Sequence, residues 1–308
     1  MLGPRYRLEF IYVGRDSGGL TRDHRYFGCM KHFLIFAIAI LFLSSGLSAQ
    51  KLKPEEIIGR SLDAIGTTDA RGKIANITMI GDSGFNQGSS VGFQSSGRVA
   101  ISSEGNKTLL AMSFAVPAYP LERFTWDGKV MGIAYIRPGT RSALGDFLAS
   151  HDGIIKEGLL SGVLNKGWPL FDLAFRDPKL SFDGTKKIDG KEAYVLGYSP
   201  KHSSDVRIKL YFDKATFRHI RTEYLLTISA QMGADPNLSA SQTENHKNLT
   251  EDFSDFKTEN GLTLPRTYRL FYHNEEGKAS RDYYYTLKLK DFYFNQALEP
   301  GTFAPESK

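Results

Sequence analysis

The chain has 308 residues, 41% of them apolar and 24% charged, a globular composition too hydrophobic for a disordered chain. Its formal charge of +5 is uneven: residues 1–49 hold six Lys/Arg against three acids, which leaves 33 bases and 31 acids over the rest. That near-neutral body argues against nucleic acid as a partner, and the single cysteine, Cys29, excludes disulfides, cysteine-based zinc sites and a cysteine nucleophile from residues 50–308.

In chain order, residues 1–29 lack periodicity and end before a second methionine, Met30, so they read as an upstream start-site extension. Met30-Lys31-His32 then precedes the apolar run Phe33–Leu43 and the small residues Ser44–Ala49. A basic n-region, a short h-region and a small-residue cleavage site make a signal peptide over 30–49. The apolar run is well short of the roughly 20 residues that span a bilayer. The expected working chain is therefore 50–308, one domain, exported to the periplasm and soluble after cleavage.

Pro54–Ile65 reads as an amphipathic helix, with Pro54, Glu55 and Glu56 suited to its first turn and Gly66 to its stop. Twelve strands follow. The first five are Lys73–Ile80, Val91–Ser102, Thr108–Phe114, Leu121–Trp126 and Lys129–Ile136, with Gly81–Ser90 as a polar loop and Asp127-Gly128 as a two-residue hairpin turn. The other seven are Leu180–Lys186, Ala193–Ser199, Val206–Asp213, Arg218–Ser229, Leu249–Lys257, Leu264–Tyr272 and Lys278–Phe294. Asp189-Gly190 and Asn260-Gly261 mark turns, and Ala230–Asn248 reads as a long loop. Between the two groups, Arg141–Phe175 has helical apolar spacing broken by four glycines, which predicts two or three short helices. The pattern predicts a mainly β fold (α+β) with one curled antiparallel sheet, whose concave face needs the Arg141–Phe175 segment as a movable cover.

Chemistry-bearing patterns are sparse. Gly88-Ser89-Ser90-Val91-Gly92 fits G-x-S-x-G, yet a nucleophile elbow needs a strand before the serine and a helix after it, and here a polar loop and a strand stand there. An esterase on Ser90 is thus the weakest of three functional readings. The histidines after Gln50 form no metal-ligand spacing, and Asp252 and Asp255 read as the polar face of a strand. The reading is of a non-enzyme with no cofactor and no metal. Alternation places Leu110, Met112 and Phe114, then Phe124 and Trp126, then Met131, Ile133 and Tyr135 on shared faces. With Phe147, Leu160 and Trp168 of the cover they are the candidate ligand-binding residues, ordinary core packing being the alternative.

Four stretches together resemble the LolA-like family of periplasmic lipoprotein carriers, the outer membrane lipoprotein-sorting type. They are the helix end Leu62-Asp63-Ala64-Ile65-Gly66 before the strand Lys73–Ile80; Asp189-Gly190-Lys191-Glu192-Ala193-Tyr194-Val195-Leu196 before the strand Val206–Asp213; Asn260-Gly261-Leu262-Thr263-Leu264-Pro265; and Phe294-Asn295-Gln296-Ala297-Leu298 with Phe303 and Pro305. The resemblance implies a half-open antiparallel β-barrel whose apolar concave face, under a short-helix lid, holds lipid or lipoprotein acyl chains. Envelope membrane proteins are the further partners it implies. The chain departs from compact carriers in its length and the Ala230–Asn248 insertion, and no carrier's functional residues map onto it one by one. The rival reading is an envelope sensory or scaffold domain of the same fold with a protein partner.

Overall fold

A computed structural model describes residues 52–88, 95–202, 204–229, 244–276 and 279–305. The expected signal peptide, the residues preceding it, Ser89–Gly92 of the G-x-S-x-G match and 230–243 of the expected long loop lie outside these.

Helix α1, Pro54–Ile65, has Pro54 in its first turn and Glu55 and Glu56 at its positive end, and it buries Ile57, Ile58, Ser61 and Ile65. It packs against β6 and β11 of the sheet defined below. Helix α2, Thr68–Gly72, is capped by the Thr67 side chain. Arg71 from α2 donates to the carbonyls of Leu62 and Gly66, joining the two helices end to end.

One sheet holds all twelve strands. In chain order these are β1 Asn76–Gln87, β2 Ser95–Glu104, β3 Lys107–Ser113, β4 Leu121–Trp126, β5 Met131–Ile133, β6 Lys179–Ile188, β7 Lys191–Ser199, β8 Arg207–Asp213, β9 His219–Ile228, β10 Asn245–Glu259, β11 Leu262–Glu276 and β12 Ala279–Phe294. Their order across the sheet is β5-β4-β3-β2-β1-β12-β11-β10-β9-β8-β7-β6, antiparallel throughout. The sheet curls without closing, a half-open β-barrel.

This order has a consequence for the segment between β5 and β6. Those two strands are the opposite edges of the sheet, so the connection between them must cross from one edge to the other. It does so as a series of short pieces: α3 Ala143–Ser150, α4 Gly153–Lys156, the 3₁₀ turns Gly162–Leu164 and Pro169–Asp172, and α5 Leu173–Arg176. Five pieces, three short helices and two 3₁₀ turns, stand where two or three helices were expected, with Gly158 ending α4 and the left-handed Ser161 and Gly162 opening the first 3₁₀ turn.

Four further expectations are corrected. The presumed loop from Gly81 continues β1 to Gln87, with a bulge between Ile80 and Gly81. Glycine is required there: a Cβ on Gly81 would lie 1.9 Å from the Lys288 carbonyl oxygen. The strand expected over Lys129–Ile136 shrinks to Met131–Ile133. Its turn is longer than two residues because the Asp127 carboxylate accepts the amides of Lys129 and Val130 at 2.7 and 2.6 Å, an Asx-type loop. Finally, residues 245–248, expected in a loop, begin β10. By contrast, Asp189-Gly190 and Asn260-Gly261 have positive φ at both residues, as a type I′ hairpin turn demands.

Gly81→Val should lower unfolding stability by about 1–3 kcal/mol, the usual cost of forcing side-chain atoms into a packed interior. Urea denaturation checks this; an unchanged midpoint would mean that β1 and β12 are not packed as described.

Candidate functional site

The concave face is a register of apolar rows. Leu110 pairs with Ile101 on one side and Phe124 on the other, and Phe124 with Ile133. Thr222, Glu251, Leu270, Tyr285 and Phe85 make a second row from β9 to β1. The cover segment packs onto these rows: Leu144, Leu148, Ile155, Leu159, Leu164, Trp168 and Leu170 are all at most 1% exposed.

The residues singled out from sequence separate into three groups. Leu110, Met112, Phe114 and Phe124 of the sheet and Phe147, Leu160 and Trp168 of the cover are buried in one cluster, sheet against cover. Trp126, Met131 and Ile133 are half-buried at the β5 edge and pack on that cluster. Tyr135 lies beyond β5, is 40% exposed, and carries the Arg141 guanidinium over its ring at 4.8 Å. Trp168 abuts the buried His219 at 4.9 Å between ring centroids, and His219 touches Phe253 at 4.9 Å. Burial pushes the His219 imidazole down to about 3, so it is a neutral packing group bonded to Thr222.

Two acids that the sequence reading passed over lie on this apolar face. Glu251, fully buried, accepts the Ser161 amide at 2.7 Å, the Tyr224 hydroxyl at 2.7 Å and the Tyr268 hydroxyl. It thereby fixes the left-handed residue at which the cover turns. Glu122, 1% exposed, accepts from the Tyr119 hydroxyl; Tyr119 in turn bonds Tyr285, and the Ser142 hydroxyl caps α3 at the Gly145 amide. A third tie is Lys166, whose amide donates to the Ser103 hydroxyl of β2 at 3.0 Å. The cover is thus bonded to β10 at Ser161 and to β2 at Lys166. The missed signal was phase: Glu251 alternates in step with Leu249 and Phe253, and Glu122 with Phe124, whereas Asp252 points outward to pair with Arg221 at 2.6 Å.

Beside α3 a cleft of about 590 Å³ opens. Its depth is apolar and aromatic, with Phe147, Leu226, Tyr272 and Tyr283; its margin carries Arg141, Lys247 and Arg281 as well as Asp146 and Asp205. Phe147 lies 5.2 Å from Tyr272 between ring centroids, so the helix and the sheet meet at the cleft floor. Phe147 is the one sequence-singled residue on its lining. Among the described residues no cluster of metal-ligating side chains occurs and no helix is long and apolar enough to cross a membrane.

No family model matches the chain, and no curated protein matches it. Solved structures similar to it include a DUF1329 family protein from Desulfovibrio piger, 12% identical over 80% of this chain and 95% of that one, TM-score 0.39. A putative outer membrane lipoprotein-sorting protein domain from Vibrio parahaemolyticus is 12% identical over 80% and 97%, TM-score 0.41. A LolA superfamily protein from Nitrosomonas europaea is 14% identical over 82% and 98%, TM-score 0.41. Likenesses at this level decide nothing about the site, which rests on the contacts of this chain.

Burial raises the Glu122 and Glu251 carboxyls from 4.5 to about 7. Each holds its proton in the fold at pH values where the unfolded chain has lost it. Its contribution is complete below about 4.5 and is lost as pH rises through about 7, up to about 3 kcal/mol for a shift of this size. Stability should therefore fall between pH 5 and 8. Glu251→Gln mimics the protonated group and should flatten part of that slope; parallel pH profiles for the two proteins would show that Glu251 does not titrate there.

Proposed function

We propose that this chain is an exported, non-enzymatic carrier for lipid or lipoprotein acyl chains, working in the cell envelope. The observation that carries the reading is the covered concave face: an apolar surface inside a half-open barrel, screened by short pieces rather than by one long helix. A static core would be served by a continuous helix. Pieces broken at Gly158 and Gly162 dock by side-chain burial and can shift as units while the strands keep their hydrogen bonds. The likeness in sequence pattern to lipoprotein carriers supports the same reading.

In this reading the structure is the closed form. When the cover lifts, an acyl chain takes the place of its apolar side chains against Leu110, Met112, Phe114 and Phe124, with Trp126, Met131 and Ile133 at the β5 edge. Each methylene removed from water supplies about 0.8 kcal/mol, which offsets the contacts the cover gives up. Apolar burial selects for chains without naming them. The cleft beside α3 is the entry, since its aromatic floor meets the covered face at Phe147 and Tyr272.

Native mass spectrometry of the purified protein, followed by lipid extraction, should find bound phospholipid or acylated peptide. Protein that carries none and takes up no fluorescent fatty acid would refute the carrier. Movement of the cover has its own readout. In Trp126→Phe, ligand should shift the emission of Trp168 and lower amide-exchange protection across 144–164. Tight binding with both signals constant would make the segment a fixed wall.

A further inference from the structure

The register places four unlike side chains in one row of the cleft lining. Leu226 pairs with Lys247, Lys247 with Asn274, and Asn274 with Arg281, on β9, β10, β11 and β12. Inward-facing residues recur every second position, so the next row inward is aromatic. There Tyr272 pairs with Tyr283, with ring centroids 6.0 Å apart and planes nearly parallel. Neighbouring strands lie about 4.8 Å apart, so Lys247 and Arg281 flank Asn274 with about 10 Å between their backbones. Along this wall the surface passes from cations and an amide to stacked rings within one step of the pleat.

The facing wall is built differently. Arg141, just before α3, and Phe147 within it line the cleft, and so do the carboxylates Asp146 and Asp205. Asp205 is itself engaged, 3.5 Å from His151, with its side chain 70% exposed. Asp146 lies on α3 and Asp205 just ahead of β8, whereas Lys247, Asn274 and Arg281 come from β10, β11 and β12. The lining holds three cations, Arg141, Lys247 and Arg281, against two carboxylates, so an anion entering the cleft is drawn toward the cations.

We infer that the cleft reads the head group of the amphiphile: the Lys247–Asn274–Arg281 row receives a phosphate ester, with Arg141 approaching from the helix side and the chain lying over Tyr272, Tyr283 and Phe147. This rests on the acyl-chain reading above and adds a head-group preference to it. A phosphate ester fits better than a carboxylate because it offers several acceptor oxygens at tetrahedral spacing. Two cations and an amide donor set side by side can engage these together, and a guanidinium can grip two of them at once.

Three probes separate the parts of the inference by titration calorimetry on the full chain: myristoyl lysophosphatidate, monomyristoyl glycerol and glycerol phosphate. The first two share a chain, and the first and third share a head. Lysophosphatidate should bind about tenfold more tightly than the monoacylglycerol, with the margin shrinking as salt rises. In Lys247→Gln/Arg281→Gln the two amphiphiles should bind alike, at the level of the monoacylglycerol in the parent protein. Equal affinities in the parent protein, or a margin that survives in the double variant, would overturn the head-group inference and leave the carrier reading standing. Glycerol phosphate binding as tightly as lysophosphatidate would also overturn it, by showing a site for soluble phosphate esters. If neither amphiphile binds, the carrier reading falls and the inference falls with it. The comparison of heads in the parent protein stands whether or not the variant folds.

Discussion

The structure depends on one requirement: the apolar inner face of a twelve-stranded sheet must be kept from water. The chain builds five strands outward from the centre to one edge, crosses to the far edge, and builds seven strands back to the centre. The crossing therefore has to pass over the inner face. Connection and cover are the same residues, and the apolar content of Arg141–Phe175, excessive for a loop, follows from the path. The cover is joined to the sheet at both edges, through β5 and through β6.

Side-chain burial alone would let so segmented a cover settle in several ways, since apolar contacts have little direction. Glu122 and Glu251 supply direction. Each sits on an inward position of a strand near where the cover changes course: Glu122 close to Ser142 at the start of α3, and Glu251 accepting the Ser161 amide at the left-handed turn. A buried carboxyl costs stability when it loses its proton and finds too few partners. The tyrosines around each acid answer that cost: Tyr119, itself bonded to Tyr285, at one, Tyr224 and Tyr268 at the other. The aromatic content that stands out in the sequence thus has two uses, filling the inner face and presenting hydroxyls to these two acids.

Much of the fold is legible in the sequence because its signals are local. Alternation marks Val206–Asp213, Asn-Gly and Asp-Gly mark hairpins, and Pro54 with Gly66 brackets the first helix. What escapes such reading depends on pairing. Gly81 looks like loop chemistry until β12 lies against it and the missing side chain proves to be the condition for close approach. The long β10 beginning at Asn245 has a polar first turn of sequence that becomes strand only by pairing with β9. The same holds for the site. Single apolar positions such as Leu110 and Phe124 show in the alternation, but the row of Lys247, Asn274 and Arg281 joins three strands and exists only in the register. Glu122 and Glu251 were visible in principle, as acids in phase with apolar neighbours; Glu122 is masked by the outward Arg123 beside it and Glu251 by the outward Asp252.

The middle of the sheet is a seam between the two ends of the chain. β1 pairs with β12 from Ile77 against Phe294 to Gln87 against Tyr283, while every other pairing joins strands consecutive in sequence. The other neighbours can zip as meanders soon after they are made, but this central pair needs a strand from each end of the described chain. Closing so long a loop before any contact rewards it places the chain among slow-folding topologies. Until β12 arrives, the two meanders each carry a raw inner edge and half of an uncovered apolar face. Assembly is therefore completed from the centre, by the last strand, and loss of β12 would cost the barrel its middle rather than its margin.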